Sequence, residues 1–112
     1  MEISTDKLLD VVNISLELET EYEDYFEHFR DCGTRDQLQE VLDDSGETGW
    51  FCAKVTASLN GVCGDPSYLG CCSYDSTQEF KNCDYYTDLT VEAVSNLKDK
   101  LESIYSDVEG LV

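Results

Sequence analysis

Twenty-five acidic side chains stand against seven basic ones in a chain of 112 residues, a formal charge of −18. In a compact body these charges repel one another, so any fold must offset that cost by burying apolar surface. The chain can do so: 41% of its residues are apolar and 11% aromatic, too many for an acidic disordered tail. Splitting residues 1–112 into two cores would leave about 56 residues each, and lobes that small are marginal. A single domain is therefore expected, with a radius of gyration near ~13 Å. No apolar run approaches the ~18 residues of a membrane span. The start, Met1-Glu2-Ile3-Ser4-Thr5-Asp6, lacks the basic and apolar stretches of a secretory signal, which points to the cytoplasm.

The same charge bears on partners. An anionic surface repels DNA, RNA and anionic membranes, and it attracts a basic groove with a strength that falls as salt rises. Acidity also serves solubility in salt-loving organisms, but six cysteines and many bulky aromatics do not follow from that pressure.

Periodicity predicts an α+β fold. Leu8, Leu9 and Val12 suggest a helical turn capped by Thr5. Val12, Ile14, Leu16 and Leu18 alternate with polar residues, a strand signal. Leu8, Val12, Leu16, Tyr22, Phe26 and Phe29 also fit one long helix, and Leu with Glu and Asp favours helix over strand. The long N-terminal helix is the preferred reading. Cys32-Gly33 stops it, and Thr34 to Gln37 forms a capping box for a second helix buried through Leu38, Val41 and Leu42. Asp43 to Gly49 reads as a polar turn. Trp50 to Leu59 alternates as a strand, Asn60-Gly61 is a hairpin turn, and a second strand follows around Tyr68 to Tyr74. Ser76 to Glu79 starts a short helix through Phe80. Thr90, Val94, Leu97, Leu101, Ile104 and Val108 form one face of a long C-terminal helix ending near Gly110. The expectation is thus long N- and C-terminal helices around a small β-hairpin, with an all-α arrangement as the alternative.

Catalytic and metal-binding patterns are weak. Six cysteines allow 15 disulfide pairings, but a cytoplasmic setting favours reduced thiols acting as small apolar packing residues. No Cys-x-x-Cys pair is present. His28 and Cys32 share a helix face and could supply half a zinc site, the basis of an alternative reading as a metal-stabilised regulatory module. No local signature joins His28 to a distant cysteine, no EF-hand spacing surrounds Asp43, and no Gly-rich phosphate loop precedes a helix. No catalytic residue, metal or cofactor is assigned, and the chain reads as a non-enzyme.

The acids themselves are the outstanding constellation. Glu17, Glu19, Glu21, Glu23, Asp24, Glu27 and Asp31 crowd fifteen residues, offset only by Arg30. On a helix, residues four apart rise ~6 Å, giving an evenly spaced line of charge. Asp36, Glu40, Asp43, Asp44 and Glu47 form a second set. Asp84, Asp88 and Glu92, beside Tyr85 and Tyr86, form a third, where tyrosine can add flat contact area. In size, charge and acidic rows the chain resembles the small acidic DNA-mimic proteins of bacteriophages and mobile elements, such as anti-CRISPR and anti-restriction proteins. That resemblance implies a stoichiometric inhibitor occupying the basic groove of a host defence or DNA-binding protein. The expected contact set is Glu17, Glu21, Glu23, Asp24, Glu27, Asp31, Asp36, Glu40, Asp43, Asp44 and Glu47. Reversing Glu21, Asp24 and Glu27 to Lys is expected to abolish inhibition and leave the fold intact. A self-associating structural protein with exposed aromatics is the remaining alternative.

Overall fold

A computed structural model describes residues 3–111; Met1 and Glu2, part of the non-basic start, and Val112 lie outside them. Its centre is β2 (Phe51–Leu59), whose residues alternate between a buried and a half-exposed face as far as Ser58. The buried set is Phe51, Ala53, Val55 and Ala57. Against it lies α5 (Asp84–Glu109), which contributes Leu89, Ala93, Val94 and Leu97. Three of these eight positions are alanine, so backbone approaches backbone closely along the seam.

Two edges complete an antiparallel sheet. β1 (Asn13–Glu19) pairs with β2 along its whole length, from Asn13 opposite Ser58 to Glu19 opposite Cys52. On the other side β3 (Val62–Cys63) and β4 (Ser67–Cys72) pair in turn with β2. Asn60 and Gly61, both at positive φ (50° and 81°), make the two-residue turn from β2 to β3, as a tight hairpin requires. One face of the sheet packs on α5. The other presents Glu17, Glu19, Cys52, Lys54, Thr56 and Tyr68.

The long N-terminal helix is overturned. In its place stand α1 (Thr5–Leu9), β1, and the single turn α2 (Tyr25–His28). Helix propensity favoured Leu and Glu here, but β2 offers a complementary pleated edge. Pairing with it puts Ile14, Leu16 and Leu18 beside the core and Glu17 and Glu19 outside. Tertiary pairing outweighs an intrinsic preference worth tenths of a kcal/mol per residue, and it also avoids stacking like charges along a helix. Accordingly the central β element is a four-stranded sheet instead of a small hairpin, and the all-α alternative falls with it.

Smaller corrections follow. Ser4, not Thr5, caps α1. α3 (Arg35–Ser45) runs through Asp43 and Asp44 before a 3-10 turn (Gly46–Gly49), so the expected polar turn is mostly helix. Val41 is half in solvent instead of buried, leaving Leu38 as the buried residue of that helix. The second strand is Ser67–Cys72 instead of Tyr68 to Tyr74. The capping box at Thr34, the start of α4 (Thr77–Lys81) behind Ser76, and the end of α5 at Gly110 fall where the sequence placed them.

The body is a rod, 65 × 23 × 21 Å, with a radius of gyration of 18.1 Å against the ~13 Å of a compact domain. α3 overhangs the end of β2 that begins at Phe51, and the last turns of α5 overhang the other.

Gly64 sets the depth at which α5 docks. Its amide donates to the Ala57 carbonyl at 3.0 Å, and a Cβ there would lie 2.7 Å from both the nitrogen and Cα of Leu97. Helix backbone cannot swing aside as a side chain does. Gly64→Ala should therefore lift α5 from the sheet and cost about 1–3 kcal/mol, the usual range for overpacking. Chemical denaturation of the two proteins measures this, and an unchanged midpoint would refute the close-packing account.

Candidate acidic interface

The proposed row from Glu17 to Asp31 does not exist as a line. Glu17 and Glu19 project from the outer face of β1, where Glu17 is in register with Lys54 and Glu19 lies 3.5 Å from its ammonium. Tyr68 first, then Glu17 and Glu19, hold the Lys54 pKa above its usual value.

Glu21 is a structural carboxylate. β4 bulges at Cys71, which sits at φ 56° between the Ala53 and Phe51 pairings. The Glu21 Oε2 accepts the freed Cys71 amide at 2.7 Å, and Oε1 accepts from the Glu23 amide at 3.0 Å. This ties the chain leaving β1 to the opposite edge strand, 50 residues away in sequence. The two amides, Cys71 foremost, lower the Glu21 pKa from the usual 4.5.

Asp24 is likewise committed, because it caps α2 by accepting from the amides of Phe26 (2.9 Å) and Glu27 (3.4 Å). Glu27 pairs with Arg30 at 2.7 Å, both side chains largely exposed. Glu23 is exposed, but its carbonyl accepts the Trp50 indole N–H at 2.8 Å. That bond anchors an aromatic cluster in which Tyr25, Phe29 and His28 surround Trp50 at 5.3–5.8 Å between ring centroids. Arg35 stacks over Phe26 at 4.0 Å and joins α3 to this cluster. Asp31 is exposed beyond α2. Reversing Glu21, Asp24 and Glu27 would thus remove a strand tie and a helix cap, so the expectation of an intact fold is corrected.

The second set holds together better. Asp36, Glu40 and Asp43 follow one stripe of α3, opposite Leu38 and Leu42, with Asp44 beside it and Glu47 on the next turn. All five are exposed. Asp43 accepts from Gln39 at 2.8 Å, a bond that leaves its charge in place.

The most regular row is on α5, outside the expected contact set. Asp84, Asp88, Glu92 and Asp99 lie on the side of α5 away from the sheet, all exposed. The first three rise in steps of about 6 Å, close to twice the ~3.4 Å axial step of a DNA strand. Asp99, seven residues or two turns beyond Glu92, is absent from the expected sets. Its two-turn spacing on the side opposite the apolar face was the signal that could have found it.

Among the described residues, acids enter three ion pairs: those of Glu19 and Glu27, and Glu102 with Lys98 at 4.0 Å. Setting Glu2 aside, 24 acids and seven bases leave a net −17 along 65 Å, or one charge per about 3.8 Å. A single DNA strand carries one per ~3.4 Å.

Other chemistry finds less support in the geometry. No group of three or more His, Cys, Asp or Glu side chains among the described residues is placed to hold a metal ion. His28 packs on Phe29 and Trp50. All six cysteines are free, but only Cys72 is buried, and Cys32 and Cys63 are exposed, so the expected packing role holds for few of them. Burial pushes the thiols of Cys52 and Cys71 up and that of Cys72 up to about 11, away from reactive thiolates. The Cys83 thiol lies 3.5 Å from the Tyr74 hydroxyl and, with burial, raises the tyrosine pKa. No described helix is long and apolar enough to cross a membrane. Compared with known protein families, curated proteins and solved structures, the chain matches none.

The Glu21 tie has a pH signature. Because its folded pKa is depressed, its contribution is complete above the unfolded value near 4.5 and is lost as pH falls through the lower folded value. Glu21→Gln should lower stability by about 1 kcal/mol near pH 7, below the usual ~1.5–3 kcal/mol of a hydrogen bond to a charged group because the carboxylate is partly solvated. The gap between the two proteins should close as the medium is acidified below pH ~4. A gap independent of pH, measured by denaturation across that range, would contradict the role.

Proposed function

We propose that this chain is a non-enzymatic, stoichiometric inhibitor in the cytoplasm that presents a DNA-like charge to the basic groove of a nucleic-acid-binding protein. The observation that carries the reading is the exposed carboxylate row of Asp84, Asp88, Glu92 and Asp99 on an uninterrupted 26-residue helix. It runs along a rod whose net charge per length approaches that of one DNA strand. A helix of this kind holds its charges in place without further ordering, which lowers the entropic cost of binding. The α3 stripe of Asp36, Glu40 and Asp43 extends the negative outline toward the other end. Glu17, Glu19 and Asp31 are peripheral to this surface, while Glu21 and Asp24 support the fold.

The test pairs capture with competition. The chain, immobilised, is used to draw a partner from lysate under a salt gradient, and the captured protein is then titrated in a duplex-DNA shift assay. One equivalent should displace the duplex. Asp84→Asn, Asp88→Asn, Glu92→Gln and Asp99→Asn together should weaken the complex about thirtyfold, since exposed ion pairs contribute ~0.2–1 kcal/mol each. Elution should also move to lower salt. A partner whose duplex binding persists in excess chain would overturn the proposal.

One observation favours a second reading. Ile104, Val108 and Leu111 continue the apolar face of α5 beyond the sheet and are exposed, which suits self-association of the overhanging helix. Light scattering of the wild type and Val108→Asp distinguishes it: a mass that is monomeric in both removes this reading.

A further inference from the structure

We propose that the free edge of β1 accepts an extended peptide carrying basic residues at every second position, as a fifth strand of the sheet. β1 is bonded on one side only. Its seven residues pair with β2 without a register shift, and no described backbone or side-chain group bonds the amides and carbonyls that point the other way. In an antiparallel ladder alternate residues face outward, so a row of donors and acceptors about 24 Å long is left to solvent. Proteins commonly block such an edge with proline, charged side chains (lysine above all), a bulge or a covering element; the charges of β1, Glu17 and Glu19, repel an acidic strand and not a basic one. β1 contains no proline and no lysine and has no bulge.

The side chains specify the occupant. On the outer face Asn13, Ser15, Glu17 and Glu19 are exposed, and the only cation within the four strands is Lys54, already engaged from the β2 side. A strand laid along β1 places one side chain opposite each of these. Opposite charges in such cross-strand pairs are favourable and like charges unfavourable, so Lys or Arg fits opposite Glu17 and Glu19. On the inner face Ile14, Leu16 and Leu18 are only partly buried, and Leu9 and Val11 are exposed next to the strand's start. Apolar residues at the intervening positions would extend the core over them. The result is a basic–apolar alternation recognised by main-chain bonds and by charge, the strand-addition mode of peptide capture. A second copy of this chain fits poorly: its own Glu17 and Glu19 would join the same face, and each body carries −18. The inference concerns β1 alone and stands whether or not the α5 row enters a groove.

The probe is an eight-residue peptide alternating Lys and Val, titrated into the full-length protein and followed by amide NMR. Saturable shifts and slowed exchange should appear at alternating residues of Asn13–Glu19. Backbone N-methylation of the same peptide should weaken binding at least tenfold, and so should replacing its Lys by Glu. Glu17→Gln with Glu19→Gln should weaken the Lys–Val peptide at least fivefold while β2 shifts stay in place. If the N-methylated peptide binds equally, if the shifts map to α3 or α5, or if the double variant binds as wild type does, the proposal is overturned.

Discussion

The structure depends on one seam, that between the buried face of β2 and the inner face of α5. Ala53, Ala57 and Ala93 are fully buried there, among Phe51, Val55, Val94 and Leu97. Small residues bring strand and helix backbones together, and the larger ones interdigitate around them, so removal of apolar surface is efficient for so short a chain. Phe80 extends the seam, packing edge-on to Phe51 at 5.4 Å and near Tyr74 and Tyr86. The remaining elements hang on this pair: β1 and β4 through the β2 ladders, α1 through Leu8, and α4 through Phe80.

This arrangement tolerates the charge. With the apolar content gathered into one seam, the acids are spread along a 65 Å rod. Length separates them and water screens them, so their mutual repulsion is smaller than in a sphere of equal mass. Several carboxylates also do structural work where freed amides need acceptors: Glu21 at the β4 bulge, Asp24 at the start of α2. Glu102 of α5 belongs with them, accepting from the Ile3 amide at 3.2 Å, whereas the exposed stripe of α3 and the Asp84–Asp99 row of α5 have no such duty.

Two features of the rod are chemically distinct. The outer row of α5 is a set of fixed point charges, suited to cations spaced along a groove. The edge of β1 is a row of main-chain bonding groups flanked by two glutamates. The roles proposed for them both call for basic partners, but the first would read spacing of charge and the second extended backbone.

Much of the fold was legible locally. The alternation of Phe51 to Leu59, the Asn60-Gly61 turn, the Thr34–Gln37 capping box and the 3–4 recurrence from Thr90 to Val108 each encode their element within a few residues, because the bonds that satisfy them are short-range. The stretch from Val12 to Phe29 encoded two answers, alternation and helical spacing. Nothing within it could choose, since the deciding partner, β2, lies some forty residues downstream in the chain. The candidate site divides the same way. Sequence alone determined the size of the negative charge and the stripes on α3 and α5, which follow from helical geometry. Only tertiary structure decided which carboxylates are free: Glu21 lost its freedom to an amide exposed by a bulge 50 residues away, a bond that no local pattern records because both its partners are made available by the packing of other strands.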